Sequence, residues 1–157
     1  MTDLFENQGG RVLALDVGKK RIGLAVSDPL GITAQGLQTL ERTRVREDLA
    51  KLKDLATHWN VSTLLVGRPL HMSGAESRQS EYTRDFAERL SEHIGLPIVF
   101  WDERLTSVEA ARILQETGKA AATRKGAVDR VAAMLLLESY LEHCQQPREA
   151  DAGGSLG

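Results

Sequence analysis

The sequence predicts an α/β fold, a mixed five-stranded sheet with three antiparallel strands, then parallel ones, and helices on both faces. Three observations carry that prediction. The run Val12-Leu13-Ala14-Leu15 is apolar without alternation, as expected of a strand buried on both faces. Only a short basic turn separates it from a second apolar run, Arg21–Ser27, so the two form a hairpin and are antiparallel. From Thr43 onward, helical and strand patterns alternate, the order of parallel strands joined by crossover helices.

The elements follow in order. Strand one closes on Leu15-Asp16-Val17-Gly18 and strand two covers Arg21 to Ser27. Asp28-Pro29-Leu30-Gly31 then carries the residues of a tight turn. Ile32 to Leu40 reads as a weaker third strand, interrupted by Gly36. Val45, Leu49, Leu52, Ala56 and Trp59 recur at helical spacing and predict an amphipathic helix over Thr43 to Trp59. Ser62–Val66 is a buried strand ending at Gly67, and Arg68-Pro69-Leu70-His71-Met72 is a loop.

Ser73 and Glu76 have the spacing of a capping box, opening a helix with Tyr82, Phe86, Leu90 and Ile94 on one side and Gly95 as its cap. Pro97–Trp101 is the fifth strand and runs into Asp102-Glu103-Arg104. Thr106 and Glu109 form a second capping box, for a helix that stops at Gly118. A small-residue, basic connector leads to the last helix, about Ala127 to Cys144. Residues 1–10 and 145–157 read as flexible ends around one domain, 11–144. This order of elements coincides with the ribonuclease H-like fold.

Composition limits the function classes. The chain has 157 residues, 41% hydrophobic and 27% charged, values ordinary for one globular domain. No apolar stretch reaches the length of a membrane span, and the first residues lack a signal peptide's basic and apolar regions. A lone Cys144 excludes an intramolecular disulfide and offers no zinc-site spacing. These features predict a cytoplasmic protein. The formal net charge of -2 argues against a nonspecific nucleic-acid coat protein, while leaving room for a local basic surface.

Chemistry points to the acids. Asp is depleted in strands, and a buried charge is costly unless it is paired or coordinates a metal. Asp16 sits at the end of the most apolar strand, where Gly18 lets the backbone turn close to whatever Asp16 holds. The bland alternative is that Asp16 hydrogen-bonds the hairpin turn. Asp102 and Glu103 end the fifth strand on opposite faces, so at most one of them faces the site. Asp129 shares a helix face with Ala132, Ala133, Leu136 and Tyr140, which turns it toward the sheet; a favourable helix dipole is its structural explanation.

Taken together, the acids suit one task. Clustered carboxylates repel one another unless a divalent cation neutralises them, and magnesium takes hard oxygen ligands. Two such ions about 4 Å apart can stabilise an in-line phosphoryl displacement. The expected substrate is a phosphodiester and the expected reaction its hydrolysis.

Basic residues accompany each acid. Lys19, Lys20 and Arg21 follow Asp16, Arg104 follows Glu103, and Arg124, Lys125 and Arg130 flank Asp129. With Arg68 they are candidate contacts to a nucleic-acid backbone, although basic surface turns are common, above all at Lys19 and Lys20. The four histidines are scattered without ligand spacing.

Leu15-Asp16-Val17-Gly18 with Arg21–Asp28, Val66–Leu70, Asp102–Ser107, and Lys125 with Asp129 and Ala132-Ala133 resemble the YqgF family, also called RuvX. The resemblance spans about Arg11 to Cys144 and implies a ribonuclease H-like, magnesium- or manganese-dependent nuclease. It implies Asp16, Glu103 and Asp129 as metal-binding catalytic residues, and so favours Glu103 over Asp102. Members of the family are described as Holliday junction resolvases and as nucleases maturing the 5′ end of precursor 16S ribosomal RNA. The expected partner is branched DNA, with precursor rRNA as the alternative. A homodimer is expected if junctions are resolved, since two opposed strands are cut.

Two rivals come from other classes. An actin-like ATPase also uses a strand-one Asp-x-Gly, but it closes two domains over its nucleotide, and this chain holds one. A Walker loop fails as well, because Ile113 and Ala120 occupy required positions around Gly118-Lys119. A noncatalytic nucleic-acid-binding regulator on the same fold has no reason to keep three acids on its phosphate surface.

Overall fold

Strand β1 (Arg11–Val17) lies at the centre of the sheet, between β2 (Arg21–Ser27) and β5 (Val61–Arg68). The computed structural model describes residues 10–68, 78–102 and 127–145. β2 runs antiparallel to β1, while β5 is parallel to β1 and β6 (Ile98–Asp102) is parallel to β5. The third predicted strand is two short ones, β3 (Ala34–Gly36) and β4 (Leu40–Glu41), each paired to β2. The sheet therefore has six strands rather than five. The break follows Gly36, over which Arg130 and Met134 pass too closely for any Cβ.

Helix α1 (Val45–His58) and helix α2 (Arg78–Ile94) cover one face of the sheet, and α3 (Ala127–Gln145) covers the other. Strand alternation decides which side chains go where. Leu13, Leu15 and Val17 of β1 join Leu64, Val66 and the α1–α2 side chains in the larger core. Ala14 faces the other way, with Ala25 and Leu65, against Ala133, Leu136 and Leu137 of α3. Small residues on that face let α3 lie close to the sheet.

Three boundaries differ from the sequence reading. β5 runs through Arg68, which ends a strand instead of opening a loop. On α2, Phe86 and Leu90 are buried as expected, but Tyr82 is 39% exposed. Tyr82 lies in the first turn and a half of the helix, where the apolar stripe has not yet reached the sheet. The proposed capping boxes at Ser73 and Thr106, and the helix over 106–118, lie outside the described residues. Among the described residues, no helix is long and apolar enough to cross a membrane.

Candidate active site

Asp16 is the next residue after Ala14 on the α3 face of β1, and its partner across the hairpin is Gly23. Gly23 has no side chain because α3 occupies the space. A Cβ there would stand 2.1 Å from the Asp129 carbonyl oxygen and 3.1 Å from the Asp129 Cβ. Cross-strand Cβ positions lie about 5 Å apart. Asp129 therefore sits above the position directly opposite Asp16, one side-chain step from it. The two acids, 113 positions apart in numbering terms of 16 and 129, share one patch of the sheet.

Arg21 is the first cation of that patch. Its Nε donates to Asp129 Oδ2 at 3.3 Å, and its Nη1 comes within 4.0 Å of Glu41. Arg21 is two residues from Gly23 on β2, so alternation gives it the same face as Asp129.

The end of β1 that carries Asp16 is fixed from the opposite side. Gln79 of α2 donates to the Val17 carbonyl at 3.2 Å, and Arg42 Nη1 donates to the Gly18 carbonyl at 3.0 Å. The Gly18 amide closes the hairpin on the Arg21 carbonyl at 2.9 Å. Arg42 is held in turn by Asp48, with Nε 3.1 Å from Oδ2 and side chains only 6% and 1% exposed. Asp48 Oδ1 also accepts the Thr43 amide at 3.1 Å, ahead of α1. This buried pair is a salt bridge with its other lone pairs and protons occupied, the condition under which such pairs are tolerated.

Asp102 lies elsewhere. It pairs in register with Arg68, and alternation puts both on the face of Val66 and Phe100, beneath α1 and α2. Arg68 Nε donates to Ser80 Oγ at 3.2 Å, and its guanidinium lies 6.0 Å from the Phe100 ring centre. Arg68 and Asp102 are thus on the opposite side of the sheet from Asp16 and Asp129. Arg130 bends back to donate its Nε to the Leu37 carbonyl at 3.1 Å. Lys19 and Lys20 are exposed at the tip of the β1–β2 hairpin. Glu103, Arg104, Arg124 and Lys125 lie outside the described residues.

Asp16 and Asp129 offer carboxylate oxygens only, the donor chemistry of a hard divalent cation. Two acids fit such an ion in kind, though not in number: among the described residues no three His, Cys, Asp or Glu side chains form a metal-holding group.

The geometry can be set beside known proteins. The profile of the RuvX family, described as Holliday junction resolvase, matches residues 10–143. The chain belongs to the RuvX family. A Koribacter versatilis relative, provisionally named pre-16S rRNA nuclease, is 51% identical over 140 residues, covering 89% of this chain and 92% of the relative. A Moorella thermoacetica relative with the same name is 46% identical over 136 residues, covering 87% and 97%. Among solved structures, Thermus thermophilus RuvC in complex with a Holliday junction substrate aligns with a TM-score of 0.55 at 13% identity, covering 85% of this chain and 96% of that one. The fowlpox virus resolvase, solved with junction DNA, aligns with a TM-score of 0.53 at 12% identity, covering 87% and 99%. At those identities the likeness is one of fold, and the fold of this RuvX-family chain is ribonuclease H-like.

Sequence reasoning missed Arg42, Asp48 and Gln79. Asp48 left a signal: it stands three residues after Val45 and four before Leu52, on the apolar stripe of α1, where an acid needs a buried partner. Gly23 left one too, as a glycine inside a buried strand.

Proposed function

We propose that this RuvX-family chain is a divalent-metal-dependent endonuclease that hydrolyses phosphodiester bonds in structured nucleic acid. The observation that carries the reading is the side-chain-free Gly23, which lets Asp129 approach to within reach of Asp16. Asp16 and Asp129, with Glu103, would hold magnesium or manganese. Bound there, the metal would supply a nucleophilic water and neutralise the charge that develops on the phosphate. Arg21 steadies Asp129 through its Oδ2 oxygen. Lys19, Arg104, Arg124, Lys125 and Arg130 would bind the phosphate backbone by charge, which positions a strand without reading its sequence. Arg68, on the far face, would do so only for nucleic acid that wraps the sheet edge.

For the substrate, the names of the relatives favour the 5′ end of precursor 16S rRNA, since they belong to chains 40–51% identical to this one. Junction DNA is the second reading. It is favoured by the description of the family and would require two copies acting on opposed strands.

The test offers four-way DNA junctions, matched duplexes, single-stranded DNA and precursor-like RNA to the purified protein with magnesium or manganese. Cleavage of the RNA that is lost in Asp16→Asn supports the proposal. Cleavage of junctions alone moves the substrate to DNA. No cleavage of any substrate with either metal would sink the enzymatic reading and leave a noncatalytic nucleic-acid-binding factor.

A further inference from the structure

A depression of about 650 Å³ opens at the tip of the β1–β2 hairpin, lined among others by Lys19, Lys20, Arg21, Glu41, Arg42 and Tyr82. That volume is in the range of small-molecule sites, roughly 300–1,000 Å³. Two of its four cations are already engaged. Arg42 is bound to buried Asp48, and Arg21 reaches both Asp129 and Glu41. Lys19 and Lys20 are exposed and have no ion pair among the described residues. The hollow therefore presents two ammonium groups to an anion.

Its wall is an aromatic ring held still. Tyr82 is 39% exposed, yet its hydroxyl accepts a hydrogen bond from Arg42 Nη1. The Arg42 guanidinium lies 5.5 Å from the Tyr82 ring centre and 4.6 Å from that of Phe86. Buried Asp48 fixes Arg42, and Arg42 fixes the ring without covering it. A rigid, partly bare aromatic beside two lysines is the combination that holds an unpaired nucleotide: every base has a face to stack, and the backbone supplies the charge.

We propose that this hollow receives one unpaired nucleotide of the substrate strand, its base against Tyr82 and its phosphate on Lys19 and Lys20. The inference rests on the nucleic-acid reading above and deepens it, because Arg21 lines the hollow and also binds Asp129. A nucleotide seated there lies next to the acids. Bases inside a duplex are stacked and paired, so the hollow selects strands with an unpaired position near the cut.

Fluorescence anisotropy tests this, with a labelled 12-nucleotide oligouridylate and a 12-base-pair RNA duplex, in chelator so that nothing is cut. Tyr82→Leu should weaken oligouridylate binding roughly 5- to 100-fold, the range of one base-on-aromatic stack. It should leave duplex binding unchanged. Tyr82→Phe keeps the ring and should bind within about twofold of wild type. Lys19→Gln with Lys20→Gln should flatten the salt dependence for the single strand by about 1.4 units of slope, at 0.7 per phosphate contact. Thermal melts check that each variant is folded, and the lysine pair, at an exposed turn, tests the site even if Tyr82→Leu is not.

Three results would overturn the proposal: no oligouridylate binding by the wild type, wild-type binding by Tyr82→Leu, or an equal loss for strand and duplex. None of them bears on whether cleavage depends on Asp16, so the nuclease reading stands or falls separately.

Discussion

Gly23 lies directly beneath Asp129, with room between sheet and helix for a hydrogen and nothing larger. The atom a Cβ would strike is the Asp129 backbone oxygen, which cannot swing aside as a side-chain tip can. Gly23→Ala should therefore push α3 off the sheet, at a cost of about 1–3 kcal/mol for overpacking. Cleavage should fall with it, because Asp129 moves away from Asp16. Gly36→Ala meets the Arg130 and Met134 side chains instead and should cost less. Urea unfolding and a cleavage assay on both variants check the order.

The two neighbouring acids on β6 and beyond should behave differently. Asp102 shares the α1–α2 face with Phe100, away from Asp16, so Asp102→Asn should retain most activity. Glu103→Gln, like Asp16→Asn and Asp129→Asn, should reduce turnover to background. Single-turnover cleavage rates decide it, and an inactive Asp102→Asn beside an active Glu103→Gln would reverse the assignment.

Arg42 and Asp48 should show the asymmetry of a buried ion pair. Removing one partner strands a charge, so Arg42→Met or Asp48→Leu alone should cost about 3–5 kcal/mol. Changing both removes the stranded charge and should recover part of that loss. Arg42→Met also releases the Gly18 carbonyl behind Asp16. A double-mutant cycle by chemical denaturation measures the coupling.

Asp28 gives a pH dependence with a definite sign. The Thr33 amide, first, and then those of Ile32 and Leu30 donate to its carboxylate and hold its pKa below the ordinary value, against a smaller effect of burial. A lowered folded pKa means that the carboxylate stabilises the fold at pH values above the unfolded value of about 3.9. That contribution is lost as pH falls through the lower, folded value. Asp28→Asn should be less stable than wild type at pH 7, and the gap should narrow below about pH 4. Thermal melts between pH 2 and 7 check both statements.

Magnesium should stabilise the folded chain through its acids. A ligand that binds only the native state adds stability by mass action. Melting temperature should rise with magnesium in the wild type and rise less in Asp16→Asn. Equal rises in the two proteins would mean that Asp16 holds no ion.

Much of this was legible in the chain because it is local. The hairpin follows from two apolar runs and a short turn, and the helices from spacings of three and four. Asp16 was conspicuous as an acid ending an apolar strand, and Asp129 as an acid on an apolar helix face. Other features are not local. Periodicity says which residues share a face of one element, but not which face of the sheet that element covers. Only packing could put Asp102 under α2, seat Arg42 on Asp48 behind Gly18, and leave Tyr82 bare where α2 overhangs the sheet. The approach of Asp129 to Asp16 is of the same kind: each acid was visible alone, but a helix resting on a glycine brings them together, and that distance exists only once the sheet has closed.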